Sequence, residues 1–127
     1  MRKQRSTYAD GYIYYYYDRK NNNVYVGSSR QNFKKRQNDH MTDYKGYMGL
    51  LNKHRTYRAS FEIIIQEEYE VGILEHYPCN SKQALEKREA EWILAFQEKN
   101  INVVNKSIPS RDTKLILPSC FYPVPFN

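Results

Sequence analysis

No stretch of this 127-residue chain approaches the roughly 18 consecutive apolar residues of a membrane span, and its densest apolar cluster is Ile63-Ile64-Ile65. Cysteine is scarce too. Cys79 and Cys120 alone cannot build a disulfide framework. Five Gly and five Pro exclude collagen-like or linker-like sequence. There is no Gly-rich phosphate loop, no Ser/His/Asp order and no context for a cysteine nucleophile. His76-x-x-Cys79 has half of a zinc spacing, but no second pair follows. The basic N-terminus, residues 1 to 7, is followed by no apolar run, so it does not read as a secretory signal. These absences predict an intracellular protein of the cytoplasm or nucleus, neither secreted nor partnered with a membrane.

What is present fits one domain. Apolar residues make up 40% and charged residues 27%, a globular balance. The net charge of +6 is unevenly spread. Residues 1 to 60 hold thirteen Lys or Arg against four Asp, whereas residues 61 to 127 hold seven basic against ten acidic. A basic front half is the electrostatic footprint of a polyanion partner, usually nucleic acid, although a plain solvated surface explains it equally well.

Thirteen Tyr are present, and seven of them lie between Tyr8 and Tyr25. The run from Tyr12 to Tyr17 favours a strand, Asp18 to Asn23 favours a turn, and Val24-Tyr25-Val26 reads as a second strand stopped at Gly27. This is a β-hairpin. Registers whose opposed residue numbers sum to 39 or 41 put Tyr14 and Tyr25 on one face as neighbours, and a one-residue slip separates them.

From Asn32, a plausible cap, to Tyr44 the spacing of Phe33, Arg36, Gln37, His40, Met41 and Tyr44 is helical. Arg36 and His40, four apart, share a face. Gly46 and Gly49 predict a break and a short second helix reaching His54. Residues 61 to 66 read as a buried third strand. Asn80 with Gln83 resembles a capping box, opening a long helix over residues 81 to 99. Residues 101 to 104 read as a last short strand. The chain therefore divides into a basic lead (1–10), a folded domain (11–106) and a Pro-rich apolar tail (107–127). The predicted class is α/β, of the α+β kind, with a small three-stranded antiparallel sheet flanked by helices.

One residue breaks the pattern of the long helix. At about 100° per residue, Leu85, Glu89, Trp92 and Phe96 fall within about 60° of one another. Glu89 thus sits within the apolar stripe, where an unpaired carboxylate is costly and pairing or metal binding relieves it.

The hairpin halves Tyr12-Ile13-Tyr14 and Tyr25-Val26-Gly27 resemble the paired signature of the GIY-YIG nuclease family. The helix with Arg36 and His40 is similar to the family's next helix. Arg88-Glu89-Ala90-Glu91-Trp92-Ile93 resembles the helix with its metal-binding glutamate, and Asn105 stands where its late asparagine is expected. The landmarks keep the family's order from residue 12 to residue 105, and they look most like the catalytic domains of phage-type intron homing endonucleases. Two positions depart from the motif: Tyr12 replaces its first glycine and Val26 its second isoleucine. Where relatives often keep a lysine, Ser28 and Ser29 stand here, with Arg30 as the nearest cation.

The resemblance implies metal-dependent hydrolysis of DNA phosphodiester bonds with one Mg²⁺ or Mn²⁺, Glu89 being the protein carboxylate on the metal. It implies Tyr14 as the base or the aligner of the attacking water, with Tyr25 beside it. Arg36 would hold the phosphate, His40 would join the charge cluster or move a proton, and Asn105 would position its neighbours. Arg30, Lys34 and Lys35 are the expected DNA contacts, though Lys34-Lys35-Arg36 also reads as a short localisation signal.

Taken singly, each landmark has an ordinary account. Tyr14 and Tyr25 could be a cross-strand aromatic pair, Arg36 and His40 a solvated helix face, Glu89 the partner of Arg88 or Arg36, and Asn105 a turn residue. A catalytically inactive nucleic-acid-binding module of the same fold is the alternative function, and the apolar tail leaves room for a protein-interaction role. With only 22 residues after Asn105, a separate recognition domain is not expected. Binding should then be mostly to phosphates, with specificity left to DNA structure, a homodimer or a protein partner.

Overall fold

The computed structural model describes residues 8–49 and 57–105. The tyrosine-rich run forms β1 (Tyr12–Asp18), buried along its whole length. It lies inside a four-stranded sheet, with β2 (Asn23–Ser29) on one side and β3 (Glu70–His76) on the other. Helices cover both of its faces, so no alternate position meets water, and apolar and polar residues need not alternate. Tyrosine suits such a strand because it fills core volume while its hydroxyl can still find a partner.

β1 and β2 pair antiparallel with Tyr12 opposite Ser29, Tyr14 opposite Gly27 and Tyr16 opposite Tyr25, which is the register whose numbers sum to 41. Tyr14 and Tyr25 are diagonal neighbours on one face, with ring centroids 6.3 Å apart. The turn is held by Asp18, whose carboxylate accepts from the Lys20 and Asn21 backbone N–H groups.

The expected three-stranded antiparallel sheet is corrected on two points. Its third strand is not at residues 61 to 66. The segment Phe61–Ile64 is a single helical turn, α2, whose Phe61, Ile63 and Ile64 are buried under the sheet, while Ile65 is half exposed. The β-branched run has strand propensity, but burial against the sheet overrides it. The strand itself is β3, in a less apolar stretch interrupted by Gly72. That glycine is needed because a Cβ there would come within 2.9 Å of the Tyr15 ring. The second correction is that the short strand expected over residues 101 to 104, β4 (Asn102–Val103), joins this sheet, running parallel to β2 at the far edge and giving the order β3-β1-β2-β4.

On one face, α1 (Phe33–Tyr47) and α2 cover Tyr12, Tyr14 and Tyr16. Asn32 caps α1, its side chain accepting from the Lys35 N–H at 3.1 Å. Gly49 follows the helix end at a φ of +77°, a conformation that favours glycine. The short helix expected towards His54 falls on residues 50–56, outside the described residues, as do residues 1–7 of the lead and the whole apolar tail. On the other face α3 (Lys82–Glu98) packs Leu85, Trp92, Ile93 and Phe96 against Ile13, Tyr15, Val24 and Val26. Its cap is Ser81, accepting from the Ala84 N–H at 3.1 Å, and not Asn80. Among the described residues no helix is long and apolar enough to cross a membrane.

Candidate active site

The outer edge of β2 determines where the site lies. β4 pairs with β2 only at Asn23 and Val24. One step further, the Asn105 side chain imitates a backbone pair, donating through Nδ2 to the Val26 carbonyl at 2.8 Å and accepting at Oδ1 from the Val26 N–H at 3.0 Å. Among the described residues no strand continues the pairing beyond this point. The edge at Gly27, Ser28 and Ser29 borders a cleft of about 370 Å³, and residues from both faces of the sheet reach it there.

From the α1 face come Tyr14, Tyr25 and Arg36, and from α3 comes Glu89. Tyr14 is fully buried and borders the cleft. Arg36 Nε donates to the Tyr14 hydroxyl at 3.2 Å, and His40 Nε2 lies 2.7 Å from the same oxygen. Burial, reinforced by neighbouring Tyr25 and only partly offset by Arg36, raises the Tyr14 pKa well above the ordinary tyrosine value. Burial and then the Glu89 carboxylate raise that of Tyr25.

Glu89 owes its direction to its chain neighbour. The Arg88 guanidinium donates to both carboxylate oxygens of Glu75 on β3, at 2.7 and 2.9 Å, and the Trp92 indole N–H donates to the same group at 2.9 Å. Successive helical residues diverge by about 100°, so docking Arg88 and Trp92 on β3 turns Glu89 towards β2. There the Ser28 hydroxyl donates to Glu89 at 2.6 Å. Burial, with Glu86 adding to it and the Ser28 hydrogen bond and Arg36 opposing it, pushes the Glu89 pKa up to about 7.

The other expected residues fall in three places. His40 is buried behind Tyr14, among the rings of Tyr14, Tyr16 and Tyr25, and burial followed by Arg36 and Arg58 lowers its pKa to about 3. Asn105 holds the strand edge and does not line the cleft. Arg30 lines it, its guanidinium 4.8 Å over the Tyr8 ring, while Lys34 and Lys35 are exposed on the first turn of α1. Pattern reading missed Ser28 as the partner of Glu89, and missed Tyr8, Gln31, Lys82 and Glu86 in the cleft wall. No spacing in the chain links residue 28 to residue 89.

A single hard cation fits this donor set. Glu89 is a half-buried carboxylate facing a cleft, with an elevated pKa that a nearby cation would reverse. Among the described residues no group of three or more His, Cys, Asp or Glu converges. A cation here would rest on Glu89, with water and the substrate's phosphate completing its shell.

Residues 10–102 match the GIY-YIG catalytic domain. No curated protein and no solved structure matches the chain. The matched segment takes in β1, β2, α1 and α3, the elements that supply Tyr14, Tyr25, Arg36 and Glu89 to the cleft. The chain belongs to the GIY-YIG nuclease family.

Proposed function

We propose that this protein is a DNA endonuclease that hydrolyses phosphodiester bonds with one divalent cation, Mg²⁺ or Mn²⁺, held on Glu89. The observation that carries the reading is the meeting of Tyr14, Tyr25, Arg36 and Glu89 on one cleft at the open edge of β2. A repelling carboxylate beside cationic groups is of little use to a passive phosphate binder, but it suits a cation-assisted reaction.

The bound cation would neutralise charge on the phosphate and the leaving oxygen. Arg36, with Nε occupied by Tyr14, would turn its Nη groups to the scissile phosphate, where a planar fork gives direction as well as charge. Tyr14 is a neutral phenol in the resting site. It would align the attacking water through an oxygen lone pair and take its proton as its own proton passes to His40 Nε2, 2.7 Å away. Tyr25 would complete that water's shell. Neutral His40 would receive the Tyr14 hydroxyl from behind, and Asn105 would keep the β2 edge in place. Arg30, Lys34 and Lys35 would meet neighbouring phosphates, contacts that are blind to sequence. Target choice would come from DNA structure, a second copy or a protein partner.

Nicking of supercoiled plasmid tests this, with and without Mg²⁺ or Mn²⁺, beside Glu89→Ala and Tyr14→Phe. Metal-dependent nicking lost in both variants is the expected result. Salt-sensitive binding without nicking under any metal would instead favour a catalytically inactive binding module.

A further inference from the structure

Two polar side chains lie buried behind the cleft, His40 at 1% and Ser60 at 0% exposure. His40 Nδ1 is 3.0 Å from the Ser60 hydroxyl, and His40 Nε2 is 2.7 Å from that of Tyr14. Ser60 stands at the N-terminus of α2, yet its side chain makes no capping bond there. Its hydroxyl faces the imidazole instead.

The imidazole is neutral. It is enclosed by tyrosine rings at 5.1 to 5.8 Å, and the charges that act on it, Arg36 and Arg58, are both positive. A neutral imidazole carries one N–H, so one nitrogen donates and the other accepts, and its neighbours decide which. Tyr14 has one proton and two lone pairs. One lone pair already accepts from Arg36 Nε. A proton on His40 Nε2 would occupy the other, leaving Tyr14 nothing with which to receive a proton from water. A proton on Nδ1 reverses this: Tyr14 donates backwards to Nε2, and its second lone pair stays on the cleft side, towards its hydrogen-bond neighbour Tyr25.

We propose that Ser60 is a positioning residue of the nuclease site, which accepts the Nδ1–H bond of His40 and thereby holds the tautomer that aims a Tyr14 lone pair into the cleft. The assignment rests on the reading of Tyr14 as the group that acts on water. Outer hydrogen-bond partners of this kind orient imidazoles in many sites, and their loss costs activity without removing a reacting group.

Nitrogen-15 correlation spectra of the imidazole in the unaltered protein are the direct test. The expected pattern has Nδ1 protonated and Nε2 bare; the reverse pattern overturns the proposal whatever the activity. Ser60→Ala should shift the population towards Nε2–H and lower kcat about tenfold while KM stays within about twofold. Ser60→Thr, which keeps a hydroxyl, should restore both. An unchanged tautomer in folded Ser60→Ala overturns the proposal. Full activity in Tyr14→Phe would count against the reading of Tyr14 itself, and the spectra would report on Ser60 independently.

Discussion

The Tyr14 phenol lies over the α-carbon of Gly27, its partner across the β1–β2 ladder. A Cβ built on Gly27 would stand 2.5 Å from the Tyr14 hydroxyl oxygen. The glycine is therefore required by close approach and not by backbone conformation. Any side chain there would push the phenol off Arg36 and His40.

Gly27→Ala should accordingly destabilise the fold by about 2 kcal/mol, the usual cost of overfilling a packed site. It should also lower nicking by about a hundredfold, because an ångström-scale displacement of an aligned group costs that much. Urea denaturation and plasmid nicking on the same preparation would check both. A fully active Gly27→Ala would contradict the close approach.

Glu89 makes stability depend on pH in a defined direction. Its folded pKa of about 7 lies above the ordinary 4.5, so the folded state binds this proton more tightly than the unfolded state. Its contribution is favourable below about pH 4.5 and is lost as the pH rises through 7. Glu89→Gln should thus be more stable than the parent at pH 8 by about 2 kcal/mol, a figure reduced for partial solvent screening. The difference should vanish at pH 4. Mg²⁺ should raise the melting temperature of the parent at pH 8 but not that of the variant. Equal pH dependence of the two proteins would show that Glu89 is not the titrating group.

Arg36→Lys keeps the charge but loses the Nε–H that reaches Tyr14 and the fork that would hold a phosphate. We expect kcat/KM to fall by about tenfold to a hundredfold, with DNA binding at low salt reduced much less. Steady-state kinetics beside a filter-binding titration separate the two. A lysine variant of parental kcat/KM would mean that charge alone suffices.

Lys34 and Lys35 are exposed and do not line the cleft, so they should act on affinity and not on chemistry. Replacing each with Gln should lower the slope of log affinity against log salt by about 1 for every phosphate no longer neutralised. Single-turnover nicking at saturating protein should stay unchanged. A loss of that rate would place these lysines closer to the reaction than their position indicates.

Much of the architecture near the hairpin is legible in the sequence, for local physical reasons. Tyr12 to Tyr17, the polar turn and Val24 to Val26 specify a hairpin. Co-facial Tyr14 and Tyr25 allow two registers, of which the structure holds one. The periodicity of Phe33, Arg36, His40 and Met41 after Asn32 specifies α1. The misplacement of the third strand has an equally local cause: Ile63-Ile64-Ile65 has β propensity, and only packing against the tyrosine face of the sheet makes it a helical turn.

The chain by itself determined which residue types could do the chemistry and in what order they occur. Side-chain type and helical or strand period are written in the sequence, and Glu89 stood out because a carboxylate interrupts an apolar stripe. Tertiary structure alone decided how they meet. Glu75 draws Arg88 aside and so turns Glu89 towards Ser28, 61 residues away in sequence. Ser60 meets His40 across 20 residues, and Asn105 closes the edge of β2 across 79. Such meetings depend on which surfaces pack together once the sheet has formed, and no short-range period records them.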